Sequence, residues 1–169
     1  MHDSSAGLNG NGFTRTELLR YAWRHWLFVL WATWWGGLCF YAIVVIPIGT
    51  EVVGTVEQGF VTQQVTQWHN GLSIVFLICL GIEAYLRSSR TLWATGAALL
   101  VINIGLVAWH YRLTTMMDFQ DQTVPSNFYS EHAVYLWITA SEFFIGLTLP
   151  IWLFAQPRAV ESRANQRDE

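Results

Sequence analysis

Apolar residues run almost unbroken through four stretches of the chain, and charge is confined to the gaps between them. Residues 26–50 and 91–109 carry no charged side chain, 70–86 carry only Glu83, and 133–155 carry only Glu142. Such runs do not alternate as barrel strands do, and a helix of roughly 20 apolar residues crosses a ~30 Å hydrocarbon core. Within lipid, a helix satisfies its backbone donors and acceptors internally. The pattern predicts an all-α fold, an integral membrane up-down four-helix bundle with an amphipathic outer segment after the first span. A flexible tail is expected over 1–23, the membrane domain over 24–156 and a second tail over 157–169.

The gap between the first two spans has a period of its own. Val53, Val56, Phe60 with Val61, Val65, Trp68 and Leu72 recur every three to four residues, against Glu57, Gln58, Thr62, Gln64 and Thr66. That spacing predicts an amphipathic helix, lying on the membrane surface or extending span two outward. The gap from Arg112 to Glu131 contains Asp118, Asp121, Pro125 and Ser126-Asn127, which read as turns.

Composition removes several classes. The chain of 169 residues is 53% hydrophobic and only 12% charged, with ten Trp. It cannot cover a water-facing surface with polar groups, and disorder needs the opposite balance. Net charge is −3 without a long basic run, so nucleic acid is not an expected partner. The two cysteines, Cys39 and Cys79, fall inside spans and read as small hydrophobes rather than a disulfide.

Orientation rests on arginine, since the chain has no lysine. Arg15, Arg20 and Arg24 precede span one, Arg87 and Arg90 separate spans two and three, and Arg158, Arg163 and Arg167 follow span four. With four spans these regions share one side, leaving Arg112 on the other. The positive-inside rule then places both termini in the cytoplasm, with a bacterial inner membrane as the expected setting. The amino-terminal residues lack a short apolar stretch with a cleavage site, so span one is expected to stay as an anchor.

Drawn on this topology, His69 begins span two, His110 ends span three and His132 begins span four, at one boundary. His25 opens span one at the opposite side. Imidazoles from several helices can ligate haem iron, copper or zinc, and bundle cores are a usual place for such sites. Equally, amphipathic rings gather at the membrane–water boundary without any ligand, as Trp68-His69 and Trp109-His110 illustrate. Met116 and Met117 follow His110, and thioether beside imidazole suits copper; simple packing is the alternative. Asp118, Asp121 and Glu131 would favour zinc.

Two carboxylates sit within spans. Glu142 is ten residues past His132, hence ~15 Å deep, where an ionised group is costly unless it faces the bundle interior. It reads either as a proton- or cation-handling group or as a hydrogen-bonding partner of Asn103 on the neighbouring helix. Glu83 has Arg87 four residues on, and a local pair accounts for it. In span one, Trp31, Trp34 and Trp35 precede Gly36-Gly37. They can line a pocket for a flat ring or pack tightly against another helix.

The run His25, Trp34-Trp35-Gly36-Gly37 and Phe40 is similar to the first helix of copper-resistance-D-like and haem-binding protoporphyrinogen-oxidase-like membrane bundles. That resemblance implies His25 as a haem ligand, although His69, His110 and His132 do not follow the oxidase arrangement. Pro47, the Gln-rich approach to span two and Phe128-Tyr129-x-x-His132 resemble the transmembrane-205-like family, which implies the four-helix fold. Three functions follow as expectations. One is binding of haem b or a copper or zinc ion for electron transfer or metal handling. The second is a non-catalytic subunit or assembly factor with a membrane-protein partner or a second copy of the chain. The third is a small transporter using Glu142. No catalytic motif is present, so enzymatic activity by this chain alone is not expected.

Overall fold

The computed structural model describes residues 14–121 and 123–154. Helix α1 (Arg15–Phe40) begins on a capping box. Thr14 Oγ1 accepts from the Glu17 amide at 3.3 Å, while the Glu17 carboxylate accepts from the Thr14 amide at 2.8 Å. The helix therefore starts inside the segment expected as a flexible tail. The rest of that tail and residues 155–169, including the tail expected there, lie outside the described residues.

At Tyr41–Val45 the rod widens into one π-helical turn and resumes as α2 (Ile46–Val53). Pro47 supplies a reason: it has no N–H to return to the residue four before it, and its ring crowds that carbonyl. The wider turn carries the Ile46 amide to the Tyr41 carbonyl instead. Gly54, with φ of 99°, reverses the chain, a conformation a side chain would resist. Helix α3 (Thr55–Arg87) then runs unbroken to Ser88, a left-handed residue. The Ser89 hydroxyl caps α4 (Arg90–Met116) by accepting from the Leu92 amide at 3.3 Å. A loop leads to α5 (Phe128–Phe154).

Four helical rods are thus long and apolar enough to cross a membrane. Helix α1 packs on α3 and α5, α3 on α4, and α4 on α5, closing a ring. Large apolar residues on the outer faces, such as Val101 and Trp137, are 70% and 76% exposed, which bilayer contact explains. The protein is an all-α integral membrane four-helix bundle.

The segment expected after span one is helical and belongs to span two. At about 1.5 Å per residue α3 is ~50 Å long, well beyond the ~30 Å hydrocarbon. Its two sets do not divide cleanly between outside and inside. Val61 and Trp68 from the apolar set are exposed, as are Glu57 and Gln64 from the polar set, whereas Gln58 is buried and Phe60, Val65 and Leu72 are half-buried.

The dry core fills the arginine-rich half, around Leu30, Trp34, Phe76, Leu80, Leu99 and Leu149. Here α1 is fastened to α5. Pro150 lacks the N–H that would bond the Gly146 carbonyl, and the Trp31 indole donates to that oxygen at 3.0 Å instead. Trp35 donates to the Phe143 carbonyl at 3.1 Å and stacks on Trp31, with centroids 5.7 Å apart. At the same end Glu83 pairs with Arg87, the local pair expected, and also accepts from the Trp23 indole at 2.7 Å.

Candidate functional site: a cavity in the histidine half

The opposite half of the bundle is hollow. The hydrogen bonds and ring contacts between α1 and α5 run from Arg24–Phe154 to Trp35–Phe143. Past that level the backbone of α2 packs on α3 but not on α5, and the π-helical turn meets only α1 and α2, which it joins. A cavity of ≈ 830 Å³ occupies the space, walled by all the helices. This volume lies in the upper range of small-molecule sites.

Its floor is a polar knot. The Trp34 indole donates to Ser73 Oγ at 2.7 Å, and the Ser73 hydroxyl faces both the His69 carbonyl at 3.1 Å and Glu142 Oε1 at 3.4 Å. Glu142 is 2% exposed and lines the cavity. The hydrogen bond expected from Asn103 to Glu142 is not made: Ser73 of α3 takes that place, and Asn103 Nδ2 is buried without a partner. Nothing in the structure explains that orphaned amide.

His69, His110 and His132 all line the cavity. They are not at one depth, as the sequence suggested. His69 is four residues above Ser73 on α3 and His132 ten above Glu142 on α5, so His132 sits about 9 Å higher. His110 is level with His132, because the neighbouring Trp109 indole donates to the Glu131 carbonyl at 3.0 Å. The His69 ring is engaged, its Nε2 lying 3.2 Å from the Trp34 carbonyl, so that nitrogen carries the proton. His132 is stacked between Phe128 and Tyr135, at interplanar angles of 10° and 18°. Neither His110 nor His132 has a ring hydrogen bond among the described residues. His25 is exposed near the other end of α1, far from the cavity lining.

Among the described residues, no group of three or more His, Cys, Asp or Glu side chains is placed to hold a metal ion. Met117 lines the cavity and Met116 does not. The tryptophans Trp31, Trp34 and Trp35 are packed rather than ring-lining, Trp34 against Phe76 at 4.7 Å. Around Gly36 and Gly37 there is open space, so neither glycine admits a close helix.

The remaining wall is uncharged and mostly apolar, with a few hydroxyl and amide groups set into it. Thr62 donates to the Gln58 carbonyl at 2.8 Å and accepts from the Tyr41 hydroxyl at 2.9 Å. Gln58 is 5% exposed, and its Nε2 has no hydrogen-bond partner. These residues were not among those singled out from the sequence as a site. Their signal is a polar stripe, Thr55, Gln58, Thr62, Thr66, His69 and Ser73, that continues at helical spacing into span two. Among the described residues no arginine lines the cavity. The roof is held by an Arg112–Glu131 ion pair at 2.6 Å and by Phe119 of the loop against Phe60 at 5.1 Å. Comparison of the chain with protein-family models, curated proteins and solved structures gave no match, so function rests on this site.

Proposed function

We propose that this integral membrane protein binds a lipid-soluble small molecule in the cavity and presents it within the bilayer, without being an enzyme on its own. One observation carries the reading: a large hollow, mostly apolar with a few hydrogen-bonding groups, lies where a plain structural bundle would be packed. Closed cores leave few voids larger than a water molecule. The arginine split supports an orientation with both termini in the cytoplasm and the cavity near the outer leaflet, in a bacterial inner membrane. The test is a titration of detergent-purified protein with N-phenyl-1-naphthylamine, a neutral ring probe that brightens in apolar surroundings. A single saturable site is expected, weakened by Gly59→Phe, which fills the cavity wall where a Cβ meets nothing within 4 Å. Probe uptake that is non-saturable, or unchanged in that variant, contradicts the reading.

A second reading is haem b, for electron transfer. His110 and His132 favour it, being level, on neighbouring helices and free of ring hydrogen bonds. Bound haem would supply one-electron chemistry, and these two residues would hold its iron. Among the described residues the lining offers no cation for its two propionates, which weighs against it. An absorption spectrum of protein produced with ample haem decides this: a Soret band lost in His132→Ala supports it, and no band contradicts it. A bare copper or zinc ion is weaker still, since three close ligands are lacking among the described residues.

A further inference from the structure

The two carboxyls inside the bundle are satisfied very differently. Glu83, in the packed half, pairs with Arg87 and accepts from the Trp23 indole at 2.7 Å. Glu142, at the cavity floor, has no arginine or histidine nitrogen paired with it among the described residues. Its one hydrogen bond comes from Ser73 at 3.4 Å. A serine hydroxyl has a single proton, and the His69 carbonyl competes for this one from 3.1 Å. The other carboxyl oxygen, Oε2, makes no hydrogen bond among the described residues, yet it is not sealed in as the Gln58 and Asn103 amides are. Its open lone pairs therefore face the cavity that Glu142 lines.

A carboxylate this deep in a membrane is costly until a positive charge meets it. Among the described residues Glu142 is the only acid in the lining, and no arginine accompanies it. The lining imidazoles do not serve. His69 turns its Nε2 to the Trp34 carbonyl, and His110 and His132 stand about 15 Å higher. The counter-charge must then come through the cavity.

The rest of the lining says what carries it. A metal ion needs several ligands, and among the described residues no group of three His, Cys, Asp or Glu side chains is placed to hold one. The walls are mostly apolar, with Leu38, Leu72 and Leu136, and they include the rings of Phe40, Tyr41 and Tyr135. Such walls favour hydrocarbon, and aromatic faces attract a cation. An aminophospholipid would bring a phosphate as well, for which the lining has no counter-charge among the described residues. Access from the bilayer is sideways, between α2 and α5, where the backbones do not meet.

We propose that the cavity is a site for a lipophilic organic amine, whose ammonium group donates to the free oxygen of Glu142 and whose hydrocarbon body fills the apolar space above. This rests on the binding reading above and names its ligand class.

The experiment titrates detergent-purified full-length protein with monodansylcadaverine, a primary amine whose fluorescence rises in apolar surroundings. Its N-acetyl derivative, the same fluorophore and chain without the charge, is titrated beside it. The wild type should bind the amine about tenfold or more tighter than the acetyl derivative. Glu142→Gln keeps the size and hydrogen-bonding capacity and should erase that preference, leaving affinity for the acetyl derivative unchanged. Oleylamine should displace the probe, and dioleoylphosphatidylethanolamine should not. Equal affinity of the wild type for the two probes overturns the assignment. So does a preference that survives Glu142→Gln, or displacement by the phospholipid at comparable concentration. If Glu142→Gln fails to fold, the two probes and the two competitors on the wild type decide alone. If N-phenyl-1-naphthylamine binds saturably and the amine has no advantage, the ligand class fails while the binding reading stands. If none of the probes binds saturably, both fail.

Discussion

Gly146→Ala tests the junction that leaves one half of the bundle closed and the other hollow. A Cβ added at Gly146 collides with Trp35 Cδ1 and comes within 3.1 Å of Trp35 Nε1 and 3.2 Å of the Trp34 ring. Trp34 is buried on every side, so it cannot yield without disturbing Phe76 and Ser73. Trp35 would have to leave its bond to the Phe143 carbonyl, and Trp31, stacked on it, its bond to Gly146. Overpacking of this kind costs about 1–3 kcal/mol, and each indole bond lost adds about 0.5–1.5 kcal/mol. Against this stands the helix preference for alanine over glycine, worth up to about 1 kcal/mol. Gly105→Ala is the matched control, because its Cβ meets only Ile138 at 3.9 Å, an ordinary contact. Thermal or denaturant unfolding in one detergent should place Gly146→Ala below Gly105→Ala by about 1–3 kcal/mol. Equal stability of the two variants would refute the junction.

Glu142→Gln should keep the fold, since it retains size and hydrogen-bonding capacity, whereas Glu142→Leu should cost about 1–2 kcal/mol by losing the bond from Ser73; unfolding in detergent compares them. Gly54→Ala should destabilise by about 1–2 kcal/mol, because φ of 99° is costly for a side chain, and a thermal melt reads it directly. Arg112→Ala should change stability by less than about 1 kcal/mol, the pair with Glu131 being largely exposed on the arginine side. Reporter fusions after Thr123 and after Arg163 should report opposite sides of the membrane, the former outside.

Legibility in the sequence followed the physics of each signal. Long uncharged runs mark membrane helices directly, and all four spans were evident from them. The period over 53–72 was also legible as a helix. Which of its polar residues turn inward was not, since Gln58 is buried while Glu57 and Gln64 are exposed, and periodicity alone does not place the neighbouring helices. Convergence of His69, His110 and His132 on one space followed from topology. Their depths did not, because α3 begins at Thr55 and places His69 in mid-helix rather than at its start. The partner of Glu142 escaped notice for another reason. Ser73 is small and uncharged, and only tertiary placement brings it beside a carboxyl on α5. Nor does any pattern of hydropathy announce a hollow, which here depends on α2 standing away from α5.

The most direct measurement is native mass spectrometry of the protein released from its own membranes in mild detergent. A one-to-one adduct with the mass of a small lipophile is expected, surviving removal of bulk phospholipid and diminished in Gly59→Phe. A polypeptide that sheds every adduct with the phospholipid, or one whose adduct is indifferent to that substitution, would contradict the binding reading.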